Sequence, residues 1–260
     1  MRLNTHCAVD DAGNGVTRLT ITDAGKANIL SSEVICALTD GIKLLAQESG
    51  LRVLVITGSG ERNFIGGADI TEMAALEETS AEVFISRLSG LCESVRSFPA
   101  PVVARIQGPC LGGGLEFAMA CDMRVAARSA RFAMPEVRIG IPSVIHAALL
   151  PRFVGLGRAR QMILTGRAID AATALDWGLV DAVAGDAGLD SAVLEAIAPI
   201  LACGPEVIAL QKALMRKWED VPLDEAIAAS VNVFGRAFTT GEPQRGMRAF
   251  LAERQSAARK

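Results

Sequence analysis

Short β-branched apolar runs alternate with longer amphipathic segments, and this alternation constrains the fold of the chain more than any other feature. Three runs, "RVLVITG" (52–58), "PVVARIQG" (101–108) and "MRVAA" (123–127), have the length and composition of buried strands. Around them, apolar residues recur at helical spacing over 31–48 and 79–98. Strands and helices in this alternation predict an α/β fold with crossover connections. The apolar face predicted for the helix over 79–98 consists of Val83, Phe84, Leu88, Leu91 and Val95.

From about residue 143 the strand signal fades and short helical segments replace it. Examples are "DAATALDWG" (170–178) and "PEVIALQKALMRKW" (205–218). The pattern predicts a core domain over 1–200 and a helical region over 201–260.

Composition and charge exclude several classes of function. Half of the 260 residues are hydrophobic, so the chain can bury a substantial core. A net charge of −3 and a pI near 5.6 give no electrostatic basis for binding nucleic acid or an anionic membrane. No apolar run reaches the ~18 residues that a membrane span requires, and the N-terminal segment lacks the apolar stretch of an export signal. We therefore expect a cytoplasmic protein with no nucleic-acid or membrane partner.

The chain contains only two histidines, His6 and His146. This leaves little basis for a His-ligated metal site or a Ser-His-Asp triad, so we expect no metal and assign acid–base chemistry mainly to carboxylates. The six cysteines are widely spaced without a C-x-x-C pair, which predicts buried free thiols rather than disulfides.

A run of three glycines lies in "GPCLGGGLEFAMACD" (108–122), directly before a predicted helix. Glycine allows close backbone approaches, and the first N–H groups of a helix have no partner within it, so such a turn can bind an oxyanion or a phosphate. A nucleotide-binding loop is disfavoured, because no Lys-Ser/Thr pair follows and G-x-G-x-x-G is not matched. A tight turn with close packing is the structural alternative. Glu116, in the first turn, is either a group that complements the helix dipole or a catalytic acid or base.

Two further segments favour chemistry on a carbonyl group. "FIGGADITEM" (64–73) contains a second glycine pair, with Asp69 as a possible helix cap, and should direct the N–H of Ala68 outward. N–H groups from two separate loops would form an oxyanion hole. "RFAMPEVRIGIP" (131–142) places Glu136 between two prolines. Two carboxylates and two N–H donors suit a reaction in which a carbonyl oxygen becomes negative.

These three segments, in this order and spacing, resemble the enoyl-CoA hydratase/isomerase (crotonase) superfamily. "ILTGRAIDAATALDWGLVDAV" (163–183) and "FTTGEPQRGMRAFLAER" (238–254) extend the resemblance to nearly the whole chain. It implies a crotonase-like α/β fold, a spiral of ββα units followed by a helical C-terminal trimerisation region. The implied assembly is a homotrimer or a hexamer formed as a dimer of trimers.

The resemblance also implies the substrate and the site. Substrates would be acyl-CoA thioesters, and no cofactor would be needed because coenzyme A is part of the substrate. The N–H groups of Ala68 and Gly113 would form the oxyanion hole, while Glu116 and Glu136 would hold and activate one water molecule. The residues assigned to substrate and coenzyme A binding are Lys26, Ala27, Asp69, Ile70 and Gly112.

The implied reaction is the syn addition of water to a 2-trans-enoyl-CoA. The alternatives are Δ3,Δ2-enoyl-CoA isomerisation or other enolate chemistry, such as thioester hydrolysis or decarboxylation. A more distant alternative is a non-catalytic relative that binds acyl-CoA or RNA.

The chain departs from the family pattern after Glu136, in "IGIPSVIHAALLPR" (139–152). Bulkier residues over 143–146 replace small ones, and we expect them to reshape the acyl pocket. His146 either points into that pocket or is a satisfied core or interface group.

Overall fold

The structure, a computed structural model, describes residues 1–257, and this range contains ten β-strands and eleven α-helices. The strands are β1 Arg2–Asn4, β2 Cys7–Asp11, β3 Val16–Ile21, β4 Val53–Gly58, β5 Val102–Ile106, β6 Cys110–Leu111, β7 Met123–Ala127, β8 Arg131–Ala133, β9 Ile169–Asp170 and β10 Ala182–Ala184. The helices are α1 Ser32–Leu45, α2 Ile70–Met73, α3 Glu78–Arg96, α4 Gly113–Ala120, α5 Leu150–Val154, α6 Leu156–Thr165, α7 Ala171–Asp176, α8 Leu189–Leu201, α9 Pro205–Asp220, α10 Leu223–Ala237 and α11 Glu242–Ala257.

The larger sheet has the strand order β1-β2-β3-β4-β5-β7-β10, and β6-β8-β9 form a smaller sheet. From β3 to β10 all neighbouring strands of the larger sheet are parallel, so each connection must cross over. This is the α/β organisation predicted from the alternation of strands and helices. Every residue of β4 is buried, as predicted for a strand covered on both faces.

Helix α3 packs between α1 and α4 and supplies much of the core next to the site. Phe84, Leu88, Leu91 and Val95 are buried as predicted. The prediction for Val83 is wrong, because this side chain is 45% exposed. Val83 is rotated by about 100° from Phe84 around the helix axis, which directs it to solvent.

Two short strands were missed in the region predicted to be helical. β9 and β10 have only two and three residues, too few to produce an alternating pattern. The chain divides into two compact units, Met1–Ala198 and a second unit that begins at Pro199. Within the second unit, the Glu242 carboxylate accepts hydrogen bonds from the N–H groups of Glu206 (3.2 Å) and Val207 (2.9 Å) at the start of α9.

All six cysteines are free thiols, as predicted, but only four of them are buried, since Cys36 and Cys203 are exposed. Within residues 1–257, no cluster of three or more His, Cys, Asp or Glu side chains could hold a metal ion. In the same range, no single helix has both the length and the apolar composition of a membrane span. The bent pair Asp186–Leu201 and Pro205–Asp220 meets the criterion only when both helices are counted together.

Candidate active site

One backbone bridge holds the two glycine-containing loops next to each other, and a second joins the first loop to the segment before α1. Ile65 pairs in parallel with Cys110, which precedes the glycine run, and Leu30 pairs in parallel with Ala68. Leu30 donates its N–H to the carbonyl of Gly67 (2.9 Å) and accepts from the N–H of Asp69 (3.1 Å). In this parallel pattern the N–H of Ala68 itself points away from Leu30.

The second loop contains a position, Gly112, at which a side chain would be sterically excluded. Gly112 has φ +52°, in the region where side chains are disfavoured, and a Cβ atom there would lie 2.5 Å from Oε1 of Glu136. Its N–H donates to the carbonyl of Ala133 (2.9 Å), while its carbonyl accepts from the N–H of Glu116 (3.0 Å). The turn therefore fixes the start of α4 and brings Glu136 close to the backbone.

Several N–H groups at these turns have no acceptor among the described residues, and those of Ala68 and Gly113 are among them. Both residues line one cavity of about 480 Å³, together with Glu116 and Glu136. Apart from three glutamates, the third being the exposed Glu82, every side chain in the lining is apolar or absent. The remaining lining residues are Gly66, Gly67, Ile70, Met73, Leu76, Ala81, Phe84, Ile85, Leu88, Gly112, Pro135, Ile139, Ile141, Pro142 and Val144.

Glu116 lies in a helix that is buried on all sides. Every residue of α4 is buried, and Glu116 is only 3% exposed. Its Oε1 accepts a hydrogen bond from the N–H of Ala147 (2.8 Å). Burial raises the pKa of Glu116 to about 8, the hydrogen bond from Ala147 opposes this rise, and the negative charge of Glu136 adds to it. These effects together favour the neutral acid form of Glu116.

Glu136 is held differently, at the start of a short 3-10 helix, Glu136–Ile139. The sequence indicated only a loop-like context for this residue. Its side chain is half-buried, and its Oε2 accepts a hydrogen bond from the Ser143 hydroxyl (2.7 Å). Glu136 and Glu116 both line the same cavity.

Of the five residues expected to bind substrate and coenzyme A, two line the cavity. Ile70, 60% exposed, and Gly112 belong to the lining, whereas Lys26, Ala27 and Asp69 do not. Asp69 caps α2, accepting from the N–H groups of Thr71 (2.8 Å) and Glu72 (3.1 Å), and this confirms the predicted cap.

Lys26 and Ala27 do not line the cavity, but Ala27 is hydrogen-bonded to a residue that does. The carbonyl of Ala27 accepts from the N–H of Gly66 (2.8 Å), a lining residue, and the carbonyl of Lys26 accepts from Asn63 Nδ2 (3.0 Å). Each of these carbonyls therefore already accepts a hydrogen bond from within the protein. The side chain of Lys26 is exposed.

Two residues that contact the carboxylates, Ser143 and Ala147, were not identified from the sequence as their partners. Ser143 was noted only as a departure in size, and a backbone donor such as Ala147 leaves no signal in the residue type. His146, between them, does not line the cavity. It is buried, with its Nε2 3.8 Å from Oε2 of Glu93, which favours the core alternative for this residue.

Comparison with known proteins identifies the family. The family model described as "Enoyl-CoA hydratase/isomerase" matches residues 11–258. The chain is 34% identical over 230 residues to a crotonyl-CoA hydratase of Syntrophomonas wolfei, covering 88% of each protein. It is 32% identical over 241 residues to a short-chain-enoyl-CoA hydratase of Clostridium acetobutylicum, covering 92% of each.

Comparison with solved structures points to the same family. A crystal structure of an enoyl-CoA hydratase from Bacillus anthracis superposes with a TM-score of 0.90 at 31% identity, covering 95% of this chain and 96% of that one. The predicted crotonase-like α/β fold with a helical C-terminal region is confirmed. The chain is an enzyme of the enoyl-CoA hydratase/isomerase family.

Proposed function

We propose that this enzyme is an enoyl-CoA hydratase that adds water across the double bond of a 2-trans-enoyl-CoA. The observation that carries the proposal is the placement of two carboxyl groups and two N–H groups without protein acceptors around one cavity. The hydratase names of the relatives support the same reaction.

The N–H groups of Ala68 and Gly113 act as the oxyanion hole. They bind the thioester oxygen, on which negative charge develops as the enolate forms. Because both are backbone donors held by neighbouring bridges, they need little reorganisation during the reaction. Losing one such donor typically costs about 3–4 kcal/mol of transition-state stabilisation.

The two glutamates divide the proton transfers. Glu136 accepts a proton from the attacking water, whose oxygen bonds to the β-carbon while the π electrons move toward the thioester oxygen. Glu116, in its acid form, then donates its proton to the α-carbon as the enolate collapses. One water is added overall, and the pair returns to its starting state by moving a proton from Glu136 to Glu116. The raised pKa of Glu116 supports its role as the acid.

The acyl group is neutral and aliphatic. The cavity lining offers hydrocarbon contacts and no side-chain cation within residues 1–257, and its polar side chains are all glutamates, of which Glu116 is engaged in the proton transfer. A carboxylate at the end of the acyl chain would be desolvated without a partner there. Coenzyme A passes Lys26, Ala27, Asp69 and Ile70, and the exposed Lys26 suits its phosphates. No other cofactor takes part.

The active assembly is a homotrimer or a dimer of trimers. In the second unit, α10 exposes apolar side chains at helical spacing, and such a stripe is typical of a helix that packs against a partner. The stripe consists of Leu223 (77% exposed), Ile227 (62%), Val231 (71%) and Phe234 (70%). Light scattering coupled to size exclusion should give three or six times 27.3 kDa.

A panel of acyl-CoA esters tests the reaction. We expect loss of enoyl absorbance with crotonyl-CoA and longer 2-trans-enoyl-CoA, and a much slower reaction with an enoyl-CoA that carries a terminal carboxylate. Conversion of 3-enoyl-CoA to 2-enoyl-CoA as the faster reaction would indicate an isomerase instead. Release of free coenzyme A or of carbon dioxide would indicate a hydrolase or a decarboxylase. Tight binding of RNA or acyl-CoA without turnover would indicate the non-catalytic alternative.

A further inference from the structure

One short segment, residues 143–147, contacts both carboxyl groups of the cavity. The Ser143 hydroxyl donates to Oε2 of Glu136 (2.7 Å), and four residues later the N–H of Ala147 donates to Oε1 of Glu116 (2.8 Å). The second contact comes from the backbone and the first from a side chain. The relative placement of the two carboxyl groups therefore depends on this segment.

The backbone of the segment is fixed in an unusual conformation. Ile145 has φ +40°, in a region that a β-branched residue rarely occupies. Its side chain packs against the hydrophobic core, and the N–H of Ala147 also donates to the carbonyl of Val144 (2.9 Å). Strained backbone of this kind persists only where the surrounding structure over-determines it, so the positions of Ser143 and Ala147 are well defined.

Glu136 needs such a contact more than Glu116 does. It lies at the start of an exposed 3-10 helix and is only half-buried, so packing alone restricts its side chain little. The hydroxyl of Ser143 donates a hydrogen bond to Oε2 of Glu136. The other oxygen, Oε1, lies close to Gly112, which directly precedes Gly113 in the chain. Without the hydroxyl, the carboxylate would be free to rotate toward solvent, at the cost of ordering it again in each turnover.

We propose that Ser143 is a positioning residue that holds the Glu136 carboxylate in its catalytic orientation. This role rests on the proposed hydratase function. Ser143 acts through Glu136 and does not itself touch the reacting atoms. A hydrogen bond to a charged group is among the stronger ones, so its loss is expected to lower kcat about tenfold while leaving KM within about twofold.

The experiment compares Ser143→Ala, Ser143→Thr and a control, Ser97→Ala, in hydration of crotonyl-CoA. Ser97 is exposed and its hydroxyl donates to the carbonyl of Glu93 (2.7 Å), so its removal should leave kcat unchanged. Ser143→Thr retains the hydroxyl and should restore most of the rate lost in Ser143→Ala. Thermal unfolding of each variant verifies that the protein is folded.

Ser143→Ala is then combined with Glu136→Gln. If Ser143 acts only through Glu136, the double variant should be as slow as Glu136→Gln alone, because residues that act as a unit are not additive. An unchanged kcat in Ser143→Ala, or the same tenfold loss in both backgrounds, would overturn the positioning role while leaving the hydratase function intact. Failure of the folded wild type to hydrate any 2-enoyl-CoA would overturn the hydratase function and this role with it.

Discussion

The two sides of the cavity are built in different ways. The inner side, formed by Gly112, Gly113 and Glu116, belongs to a helix start that is fully buried and bound by backbone hydrogen bonds. The outer side, which contains Glu136, Ile141 and Val144, is half-buried or exposed and is held by a side-chain hydroxyl.

This difference separates chemistry from substrate choice. On the inner side, any added atom meets packed protein, and burial keeps Glu116 in its acid form. On the outer side, residues can change in size with little cost to the core, because their side chains already reach solvent. We therefore expect inner substitutions to alter the rate of reaction and outer substitutions to alter which acyl groups are accepted.

The largest effect should come from Glu116→Gln, which keeps the shape of the side chain and removes its proton-donating ability. We expect kcat to fall by about 10³-fold, within the range found for positioned acids and bases, with little change in folding. The measurement is steady-state hydration of crotonyl-CoA, supported by circular dichroism. Glu82→Gln, which changes an exposed glutamate of the same cavity, is the matched control and should stay within about twofold of wild type. Near-full activity in Glu116→Gln would remove Glu116 from the mechanism.

Gly112→Ala should give the next largest effect, because Gly112 belongs to the inner side and lies against Glu136 of the outer side. The new Cβ would lie 2.5 Å from Oε1 of Glu136 at a φ of +52°, so it must displace that carboxylate or the turn before Gly113. We expect a loss of about 10²-fold in kcat, comparable to disturbing an oxyanion donor. Gly157→Ala is the control, since no atom lies within 4 Å of its Cβ position in α6. Equal kcat values in the two variants would show that the close approach at Gly112 is not required.

The effect of a change of one pH unit is expected to be smaller. The pKa of Glu116 is raised to about 8, so its donor form is present below that pH and is lost as pH rises through it. Above pH 8, kcat should therefore fall about tenfold per pH unit. The measurement is kcat from pH 5 to 10 in buffers of constant ionic strength. The residual activity of Glu116→Gln should lack this alkaline decrease, and a decrease that persists in that variant would assign it to another group.

The smallest effect should come from truncating the outer side. Val144→Ala enlarges a partly exposed part of the lining, and we expect a change of about threefold in the ratio of kcat/KM for 2-octenoyl-CoA over crotonyl-CoA. Val137→Ala serves as the control, because Val137 is similarly exposed (37%, against 39% for Val144) but does not line the cavity. A large loss of kcat for both substrates in Val144→Ala would show that the outer side contributes to catalysis rather than to selection.

Much of the inner side was predictable from the sequence. Glycine runs, buried strands and a carboxylate in an apolar helix are local patterns, and each constrains its own neighbourhood. The helix cap at Asp69 was found for this reason, and so was the presence of α4, although α4 begins at Gly113, inside the glycine run rather than after it.

The contacts that orient the two carboxylates were not predictable in the same way. They depend on the path of residues 143–147, which turns at Ile145 through a conformation that its β-branched side chain gives no reason to expect. Only the fold brings Ser143 to Glu136 and Ala147 to Glu116. Likewise, the sequence does not show how wide the buried face of α3 is. Val83 lies outside that face and is exposed.

The hydrogen bond from Ala147 to Glu116 has a consequence for how the enzyme can be probed. The donor is a main-chain amide, so replacing Ala147 with almost any other residue leaves the donor in place. Alanine scanning cannot reveal this contact, and sequence variation at that position would carry no record of it. Replacement of the amide by an ester through chemical ligation would remove the single hydrogen atom involved, and would expose its influence on the proton affinity of the buried acid.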